Sequence, residues 1–452
     1  MLLFDTIVSL VTPRLTSAVC MVRMSGNDTL AILNKVIFKD SSTLEPNRAY
    51  VMNLYKDGKN KKDMIDQCVL TFYKGPKSYT GFDMVEFSLH GSILIADELI
   101  ETLTKYGARV AQNGEFSYQA FYNDKMSLLQ SEKINELIHA KSLVSKNLAI
   151  TGITKDSQNF IEEIKDKLLL TSSSIEFIIE DELGDHDDYV NELQNISETQ
   201  VVPVLNTLKK VLSDTKKSAQ LFNGIKVALV GEPNVGKSTL LNKILNEDKA
   251  IVTAIPGTTR DVVEGETIYK GVYFKLFDTA GIRETDDLIE SLGIEKSKKM
   301  MNQADVILFL SDNSLDYEEE IFNHLEDKNK PVIRIFTKKD ISNKVSENFD
   351  LAISSKDESY NQIFDLILKR LNLDNVSDIK EHLTQREISY LEKIINILEM
   401  FVSEANVGSN IDVLGGFIMF AIDEINEMLG LSKGQTKEDV YASIFKNFCL
   451  GK

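Results

Sequence analysis

The sequence predicts a multidomain protein with α/β and all-α parts, and the order of strand and helix patterns along the chain supports this. Residues 1–120 and 223–372 alternate short apolar runs with helix-like periodicity, which is typical of strands joined by helices. Residues 121–222 and 373–452 show helical spacing without strand signals. Because the second α/β segment interrupts the helical pattern, we expect it to be a domain inserted into a helical domain.

The bulk composition restricts the possible functions. The formal net charge of −18 opposes broad contact with nucleic acid, since phosphate binding needs a positive field. An RNA substrate would have to be held by a local basic patch or by a partner. The sequence contains no membrane-spanning run and no basic start of a signal peptide, and its three cysteines lie far apart. We therefore expect a protein of the reducing cytoplasm with no membrane contact.

The first segment, residues 1–120, is expected to be a small α/β domain. Turn residues such as Gly26 and the pair Gly75-Pro76 separate its apolar runs. Strands are predicted at 6–11, 18–23, 49–54, 68–72 and 84–89, and helices at 29–37 and 92–106.

The helical prediction for residues 121–222 rests on apolar residues at helical spacing, as between Val201 and Leu212. Within this segment, residues 180–188 crowd acidic side chains together. They could bind a cation, but their spacing matches no calcium loop. We favour a solvated loop between helices.

The inserted segment, residues 223–372, alternates strands with helices, which implies right-handed crossovers and a parallel sheet. Its strands are predicted at 227–230, 272–277, 306–310, 332–336 and 351–353.

A phosphate-binding loop follows the first of these strands. Residues 231–238, GEPNVGKS, match the pattern G-x-x-x-x-G-K-[ST] between a strand and a helix. Glycines let the backbone N–H groups turn toward phosphate oxygens at the positive end of the next helix. Lys237 would reach the β- and γ-phosphates, and Ser238 would ligate Mg2+. The residues expected around the phosphates are Asn234, Val235, Gly236, Lys237, Ser238 and Thr239.

Two later motifs stand where a GTPase senses the γ-phosphate. Thr258 and Thr259 lie on a loop where a threonine can complete the Mg2+ shell, and we assign that ligand to Thr259. Asp278 ends an apolar strand and would contact Mg2+ through water, while the N–H of Gly281 would contact the γ-phosphate. Ordering of both loops by that phosphate would be the switch. The second motif comprises Asp278, Thr279, Ala280 and Gly281.

The choice of base depends on a motif at the end of a strand, Thr337-Lys338-Lys339-Asp340. Asp340 could accept hydrogen bonds from the guanine N1–H and amino group, while Lys338 covers the ring. GTPases normally carry asparagine at the position of Thr337. Guanine is preferred over adenine because the aspartate is retained. The last GTPase element is expected at Ser354, Ser355 and Lys356.

The residue that orients the attacking water is not evident. Ras-like proteins place a glutamine after the glycine of the second switch motif, where this chain has Ile282, which cannot hydrogen-bond. Either hydrolysis is slow or another group supplies the function, and no arginine finger can be assigned. The candidate carboxylates are Glu284, Asp286, Asp287 and Glu290.

Four further stretches carry a resemblance to a known family. Residues 22–26 (VRMSG) resemble its I-R-I-S-G, and residues 78–86 (SYTGFDMVE) resemble S-Y-T-G-E-D-V-V-E. Residues 114–125 resemble G-E-F-T-x-R-A-F-L-N-x-K, and residues 448–452 match F-C-[IVL]-G-K. Together with the GTPase elements, they make the chain resemble the tRNA modification GTPase family MnmE (TrmE) over nearly its whole length.

The resemblance implies an N-terminal α/β folate-binding and dimerisation domain and a helical domain interrupted by an inserted Ras-like P-loop GTPase domain. Family members hydrolyse GTP with K+ and Mg2+ as homodimers. With a flavin-dependent partner, MnmG, they form a heterotetramer that installs a carboxymethylaminomethyl or aminomethyl group at C5 of the wobble uridine of certain tRNAs. The one-carbon unit comes from 5-formyltetrahydrofolate or a related tetrahydrofolate. FAD would belong to the partner alone, since this chain lacks a Rossmann fingerprint.

The resemblance also implies roles for individual residues. Glu290 matches the catalytic glutamate and would fill the gap left at Ile282. The folate positions are Arg23, Glu86, Lys125 and Lys452, and the K+ positions are Asn234, Thr253, Ile255 and Thr258.

Three positions depart from the family pattern or remain open. Residues 13–16, PRLT, replace a glycine-rich stretch beside the folate position, and His90 stands in L-H-G-S where the family has C-H-G-G. Cys449 could be a prenylation site, a nucleophile or a structural or folate-site residue, and we favour the last.

The alternative function is a regulatory GTPase of ribosome assembly that acts as a conformational switch. Its GTPase elements would look alike. Residues 114–125 and 448–452 count against it, because a switch has no evident need for them.

Overall fold

The computed structural model describes sixteen stretches of the chain, and they divide between two compact units. One unit comprises Met1–Asn135 with Asp423–Lys452, and the other comprises Glu136–Ile422. The described residues are 5–57, 60, 62–153, 156–180, 186–232, 234–247, 265–278, 298–312, 323, 325–341, 348–357, 360–374, 382–431, 441, 444–448 and 451.

The first unit contains a six-stranded sheet in the order β3-β4-β5-β2-β1-β6. Its strands are antiparallel except for the β1–β6 pair, which is parallel. All five predicted strands are present, and the two-residue β6 was not predicted. The bounds are β1 Ile7–Leu10, β2 Val19–Ser25, β3 Ala49–Tyr55, β4 Met64–Tyr73, β5 Met84–His90 and β6 Arg109–Val110.

One face of this sheet forms the core of the unit. Alternate strand residues such as Val22 and Phe87 are fully buried, and they pack in one cluster with Leu99 and Leu103 of the helix α2, Ile93–Lys105. The period-2 alternation of buried side chains is what fixes the register of such a sheet.

The helix predicted at 29–37 is shorter in the structure. The helix α1 covers only Thr29–Leu33. Asn34 follows it and accepts a hydrogen bond on Oδ1 from the N–H of Ser41 at 2.7 Å. Val36 and Ile37 are still buried, but neither is helical. The helix-like spacing therefore predicted the buried positions correctly, but it predicted a helix that is too long.

The end of the chain packs within the first unit. Phe445 and Phe448 are buried against Tyr118 and Leu128. Gly114 precedes α3, Glu115–Tyr122, with a φ of +69°, and a Cβ there would lie 2.1 Å from the carbonyl oxygen of Phe445. Only glycine fits this close approach.

Helices dominate the segments on either side of the inserted domain, and among the described residues of 123–222 there is no strand, as predicted. A π-helical segment, Ser197–Val201, separates α7 from α8. The loop predicted at residues 180–188 is shorter than expected, because Glu180 ends α6 and residues 186–188 begin α7; residues 181–185 lie outside the described part of the chain. The bounds are α4 Leu128–His139, α5 Leu143–Ile153, α6 Asp156–Glu180, α7 His186–Ile196, α8 Val202–Asn223, α11 Gln385–Asn406 and α12 Ile411–Leu429.

The inserted domain is built on a second six-stranded sheet, in the order β12-β11-β10-β7-β9-β8. Five strands are parallel, as predicted. β8 was not predicted, and it pairs antiparallel with β9 at one edge, so the sheet is mixed and not purely parallel. The bounds are β7 Ile225–Gly231, α9 Lys237–Glu247, β8 Gly265–Tyr269, β9 Val272–Asp278, β10 Val306–Ser311, β11 Val332–Phe336, β12 Leu351–Ala352 and α10 Asn361–Arg370.

The chain enters and leaves the inserted domain at neighbouring points. Phe222 lies near the end of α8, just before β7, and its ring stacks on the ring of His382 with centroids 4.6 Å apart. The Nδ1 atom of His382 is 3.3 Å from Ser218 Oγ, and its Nε2 atom is 3.2 Å from Glu136 Oε1. His382 is buried and starts the described segment after the inserted domain.

Among the helices that the structure describes, none is long and apolar enough to cross a bilayer.

Candidate functional site

The predicted phosphate loop connects β7 to α9. Gly231 ends the strand with a φ of +157°, and a Cβ on it would lie 2.2 Å from the carbonyl oxygen of Leu310. Gly236 has a φ of +105° and open space where a side chain would be. Asn234 also adopts a left-handed conformation, with a φ of +63°. The backbone thus turns sharply just before a helix N-terminus, where unpaired N–H groups attract anions.

Lys237 is held inside this loop. Its side chain is largely buried, and Nζ donates to the carbonyl oxygens of Gly231 at 2.8 Å and Glu232 at 2.9 Å. Burial lowers the pKa of Lys237, and the nearby carboxylate of Asp278 opposes that shift. Val235 is buried in the domain core and anchors the loop, whereas Thr239 is exposed.

Ser238 and Asp278 form the part of the site that fits Mg2+. Ser238 Oγ donates to Asp278 Oδ2 at 2.8 Å. The other carboxylate oxygen, Oδ1, is buried and has no hydrogen-bond partner among the described residues. Buried polar atoms are rarely left unpaired, and hard oxygen donors suit Mg2+. Ser238 would hold the ion directly and Asp278 would hold it through water.

The predicted base-recognition residues lie together beyond β11 and β12. The N–H of Thr337 donates to the carbonyl oxygen of Ser311 at 2.8 Å, and its Oγ1 donates to the same oxygen at 3.4 Å. Asp340 Oδ2 lies 2.9 Å from Lys356 Nζ. Hydrogen bonds from Lys356 and Ser354 lower the pKa of Asp340, which keeps it an acceptor, as guanine recognition requires.

Sequence reasoning missed one residue at this edge, Asp312. Its carboxylate pairs with Lys338 Nζ at 2.5 Å, and Lys338 itself has a φ of +58°. Asp312 directly follows β10, at the carboxyl edge where open α/β sheets bind ligands. Its place after an apolar strand is a signal that could have identified it.

The carboxyl ends of the parallel strands therefore bring the described residues predicted to contact the phosphates, Mg2+ and the base to one edge of the sheet. A side-chain contact also links α9 to the segment after β12: the Nζ atom of Lys243 donates to the carbonyl oxygen of Ser355. The remaining predicted residues lie outside the described part of the chain: Thr253, Ile255, Thr258, Thr259, Thr279, Ala280, Gly281, Ile282, Glu284, Asp286, Asp287 and Glu290.

A second candidate site lies in the first unit, where Arg23 and Glu86 face each other across β2 and β5. The Nε and Nη2 atoms of Arg23 donate to Glu86 Oε1 at 2.9 and 2.7 Å. Tyr73 OH donates to Glu86 Oε2 at 3.3 Å. Burial and the Glu86 charge raise the pKa of Tyr73. Two aromatic rings flank the guanidinium carbon of Arg23, at 5.2 Å for Tyr79 and 5.5 Å for Phe116.

The chain end reaches the same place. The Nη1 atom of Arg23 donates to the carbonyl oxygen of Gly451 at 3.1 Å. Lys125 is exposed just after α3, while Cys449 and Lys452 lie outside the described residues. The stretches that carried the family resemblance thus contribute Arg23, Glu86, Tyr79, Phe116 and Gly451 to one site. Tyr73 and the two aromatic contacts were not predicted.

The positions that depart from the family pattern lie elsewhere in this unit. Arg14 forms an exposed ion pair with Asp97 at 2.7 Å. His90 Nδ1 lies 2.7 Å from Oδ1 of the buried Asp66.

The second unit's mostly parallel sheet, its phosphate loop and the Ser238–Asp278 pair define a P-loop GTPase. The comparisons with known proteins extend this. Residues 6–125 match the family model "GTP-binding protein TrmE N-terminus", and residues 226–338 match "50S ribosome-binding GTPase".

Curated relatives match the entire length. The tRNA modification GTPase MnmE of Thermosipho melanesiensis is 36% identical over 100% of both chains, and that of Mycoplasma mycoides is also 36% identical over 100% of both. The MnmE of Ureaplasma parvum is 33% identical over 99% of this chain and 100% of its own. The chain therefore belongs to the MnmE family of tRNA modification GTPases, which confirms the resemblance, the fold class and the GTPase assignment.

Among solved structures, Era of Aquifex aeolicus bound to GDP·AlF4− is 29% identical over 39% of this chain and 67% of its own, with a TM-score of 0.26.

Proposed function

We propose that this protein is a K+-dependent GTPase that acts with a flavin-dependent MnmG-type partner to modify C5 of the wobble uridine in certain tRNAs. The observation that carries the proposal is the presence of two separate polar sites in one chain. The phosphate loop with Asp278 serves a nucleotide, whereas Arg23, Glu86 and Gly451 meet in the other unit. A simple nucleotide switch needs only the first.

The second site suits a tetrahydrofolate. The Glu86 carboxylate can accept from the amino and ring N–H groups of a pterin, and Tyr79 and Phe116 offer aromatic surface beside it. Lys125, and Lys452 outside the described residues, would meet the carboxylates of the glutamate tail. Calorimetry with 5-formyltetrahydrofolate tests this assignment, and a folded protein that releases no binding heat would contradict it.

In the nucleotide site, K+ would stand where other GTPases use an arginine finger, held by oxygen ligands. Asn234, exposed in the phosphate loop, supports this position; Thr253, Ile255 and Thr258 would complete it. Bound Mg2+ would neutralise charge on the β- and γ-phosphate oxygens. Glu290 would orient the attacking water in place of the missing glutamine.

Hydrolysis rates in K+ and Na+ test the cation. We expect a large excess in K+, and equal rates would remove it from the mechanism. The variant Glu290→Ala should bind GTP normally and turn it over slowly. Normal turnover would move the catalytic role to another carboxylate.

Homodimer formation is part of the proposal, and three exposed valines on one sheet face of the first unit support it. Val19, Val51 and Val69 are 55%, 73% and 42% exposed, and they share the face that α2 does not cover. Val51 and Val69 lie directly opposite each other, and exposed apolar side chains side by side suit a protein–protein interface. Sedimentation of wild type and of Val51→Glu gives the test, and a monomeric wild type would contradict the proposal.

We place the reaction in the cytoplasm, in a heterotetramer with the partner. Because the net charge is −18, the partner is expected to hold much of the tRNA. Mass spectrometry of tRNA from cells that lack this protein is the decisive test. We expect wobble uridines without the C5 group. Normal uridines together with defective ribosome assembly would favour the regulatory GTPase instead.

A further inference from the structure

The guanidinium of Arg23 makes three hydrogen bonds within its own chain, with three of its five N–H groups. All three of its nitrogen atoms donate to groups of this protein: Nε and Nη2 to Glu86, and Nη1 to the carbonyl oxygen of Gly451. The Arg23 and Glu86 side chains are only 13% and 16% exposed. Both bonds to Glu86 end on one carboxylate oxygen, Oε1, and charge-assisted bonds of this kind fix geometry as well as adding energy.

The residue that Arg23 holds at the chain end is itself closely fitted. Gly451 has a φ of +89°, and a Cβ on it would lie 2.8 Å from Val11 Cα and 3.0 Å from the carbonyl oxygen of Leu10. A side chain cannot occupy that space, so the tail approaches the end of β1 by backbone alone. Phe448, three residues earlier, is buried, and its packing brings the tail to this position.

A ligand carboxylate would be poorly placed at this arginine. The guanidinium already neutralises Glu86, and a second carboxylate brought to it would lie close to the first, where like charges repel in a partly buried site. A ligand carboxylate that binds an exposed ammonium, such as that of Lys125, meets no such repulsion.

We infer that Arg23 is a positioning residue: it orients Glu86 and seats the C-terminal tail through Gly451, and it does not read the carboxylates of the ligand. The part that concerns the ligand rests on the proposed folate function. The part that concerns the tail does not, because the contacts exist in the protein alone.

The tail is tested first, by hydrogen exchange of residues 444–451 without any ligand. Arg23→Gln should exchange faster there than wild type, while Arg14→Gln, which removes an exposed ion pair of the same unit, should not. Arg23→Lys keeps the charge but loses the fork, and we expect intermediate protection. Unchanged protection in a folded Arg23→Gln variant would overturn the inference.

The ligand is tested with two probes, 5-formyltetrahydrofolate and 5-formyltetrahydropteroate, which lacks the glutamate. Arg23→Gln should weaken both by the same factor, because it displaces Glu86 from the pterin. Lys125→Ala should weaken only the probe that carries the glutamate. If Arg23→Gln instead affects only that probe, the arginine reads the carboxylate and the inference is wrong.

Failure of the folate assignment can be told apart from failure of the role inferred for Arg23. If the wild type binds neither probe, the folate assignment falls, and tail exchange still decides the role of Arg23. Far-UV circular dichroism of each variant shows that a lost signal is not unfolding, and Arg23→Lys serves where Arg23→Gln does not fold.

Discussion

Replacing Asp278 by asparagine should separate Mg2+ binding from the rest of the nucleotide site. The amide keeps an oxygen that can accept from Ser238 Oγ, a contact of 2.8 Å in the structure. The substitution removes the negative charge of the carboxylate. The second oxygen of that carboxylate, Oδ1, is buried without a partner among the described residues. Loss of a group that holds a metal through its outer shell typically costs about 10- to 100-fold in metal affinity, or about 1.4–2.7 kcal/mol.

The assay is a Mg2+ titration of a fluorescent GTP analogue. The midpoint for Asp278→Asn should lie about 10- to 100-fold higher in Mg2+ than for wild type. Without Mg2+, the variant should bind the nucleotide at least as well, since one negative charge has left the neighbourhood of the phosphates. Asp312→Asn is the matched control, because Asp312 pairs with Lys338 and should leave the midpoint in place. An unshifted midpoint for Asp278→Asn, or weaker binding without Mg2+, would refute the reasoning.

Four other outcomes follow from the packing. Gly231→Ala should abolish GTP binding measured by filter retention, because its Cβ would lie 2.2 Å from a backbone carbonyl oxygen of β10 and the loop would have to shift; wild-type affinity would show that the loop tolerates a side chain. Lys356→Met should lower GTP affinity no more than a few-fold, since its pair with Asp340 is exposed to solvent; a large loss in calorimetry would mean that the lysine touches the base. Phe401→Ala should cost about 3–5 kcal/mol in urea unfolding followed by circular dichroism, because that ring is fully buried in α11, and an unchanged midpoint would contradict that burial. Burial raises the pKa of the Cys68 thiol to about 12, so iodoacetamide at neutral pH should leave it unmodified until the protein is denatured; labelling of the folded protein, read by mass spectrometry, would contradict this.

Much of the fold could be predicted from the sequence where a whole strand is buried. The runs that became β7, β10 and β11 are mostly apolar, with Lys226 and Arg334 as charged exceptions, because helices and neighbouring strands exclude water from both faces. β8 escaped prediction because it is an edge strand with polar residues, Glu266 and Thr267, and its antiparallel partner β9 is needed to define it. The two-residue β6 is too short to show any period.

The nucleotide site could be predicted because its chemistry depends on short local motifs whose strands end at one edge. The second site could not be predicted to the same depth. Arg23 and Gly451 are 428 positions apart, and their contact depends on how the last helix and tail pack. The pairing of Arg23 with Glu86 depends on the register of β2 against β5, which neither stretch reveals alone.

The stacked pair Phe222 and His382 has a consequence for how the GTPase domain could be replaced. The chain segments before and after the GTPase domain lie side by side, because Phe222 and Ser218 both contact His382. The gap between these two segments would therefore be short if the domain were removed. A short linker closes such a gap at little entropic cost. Removing the GTPase domain would, however, uncover Leu148 of α5 and Leu221 of α8, which are buried in the core of that domain. A domain exchanged into this place would therefore have to cover the same two side chains.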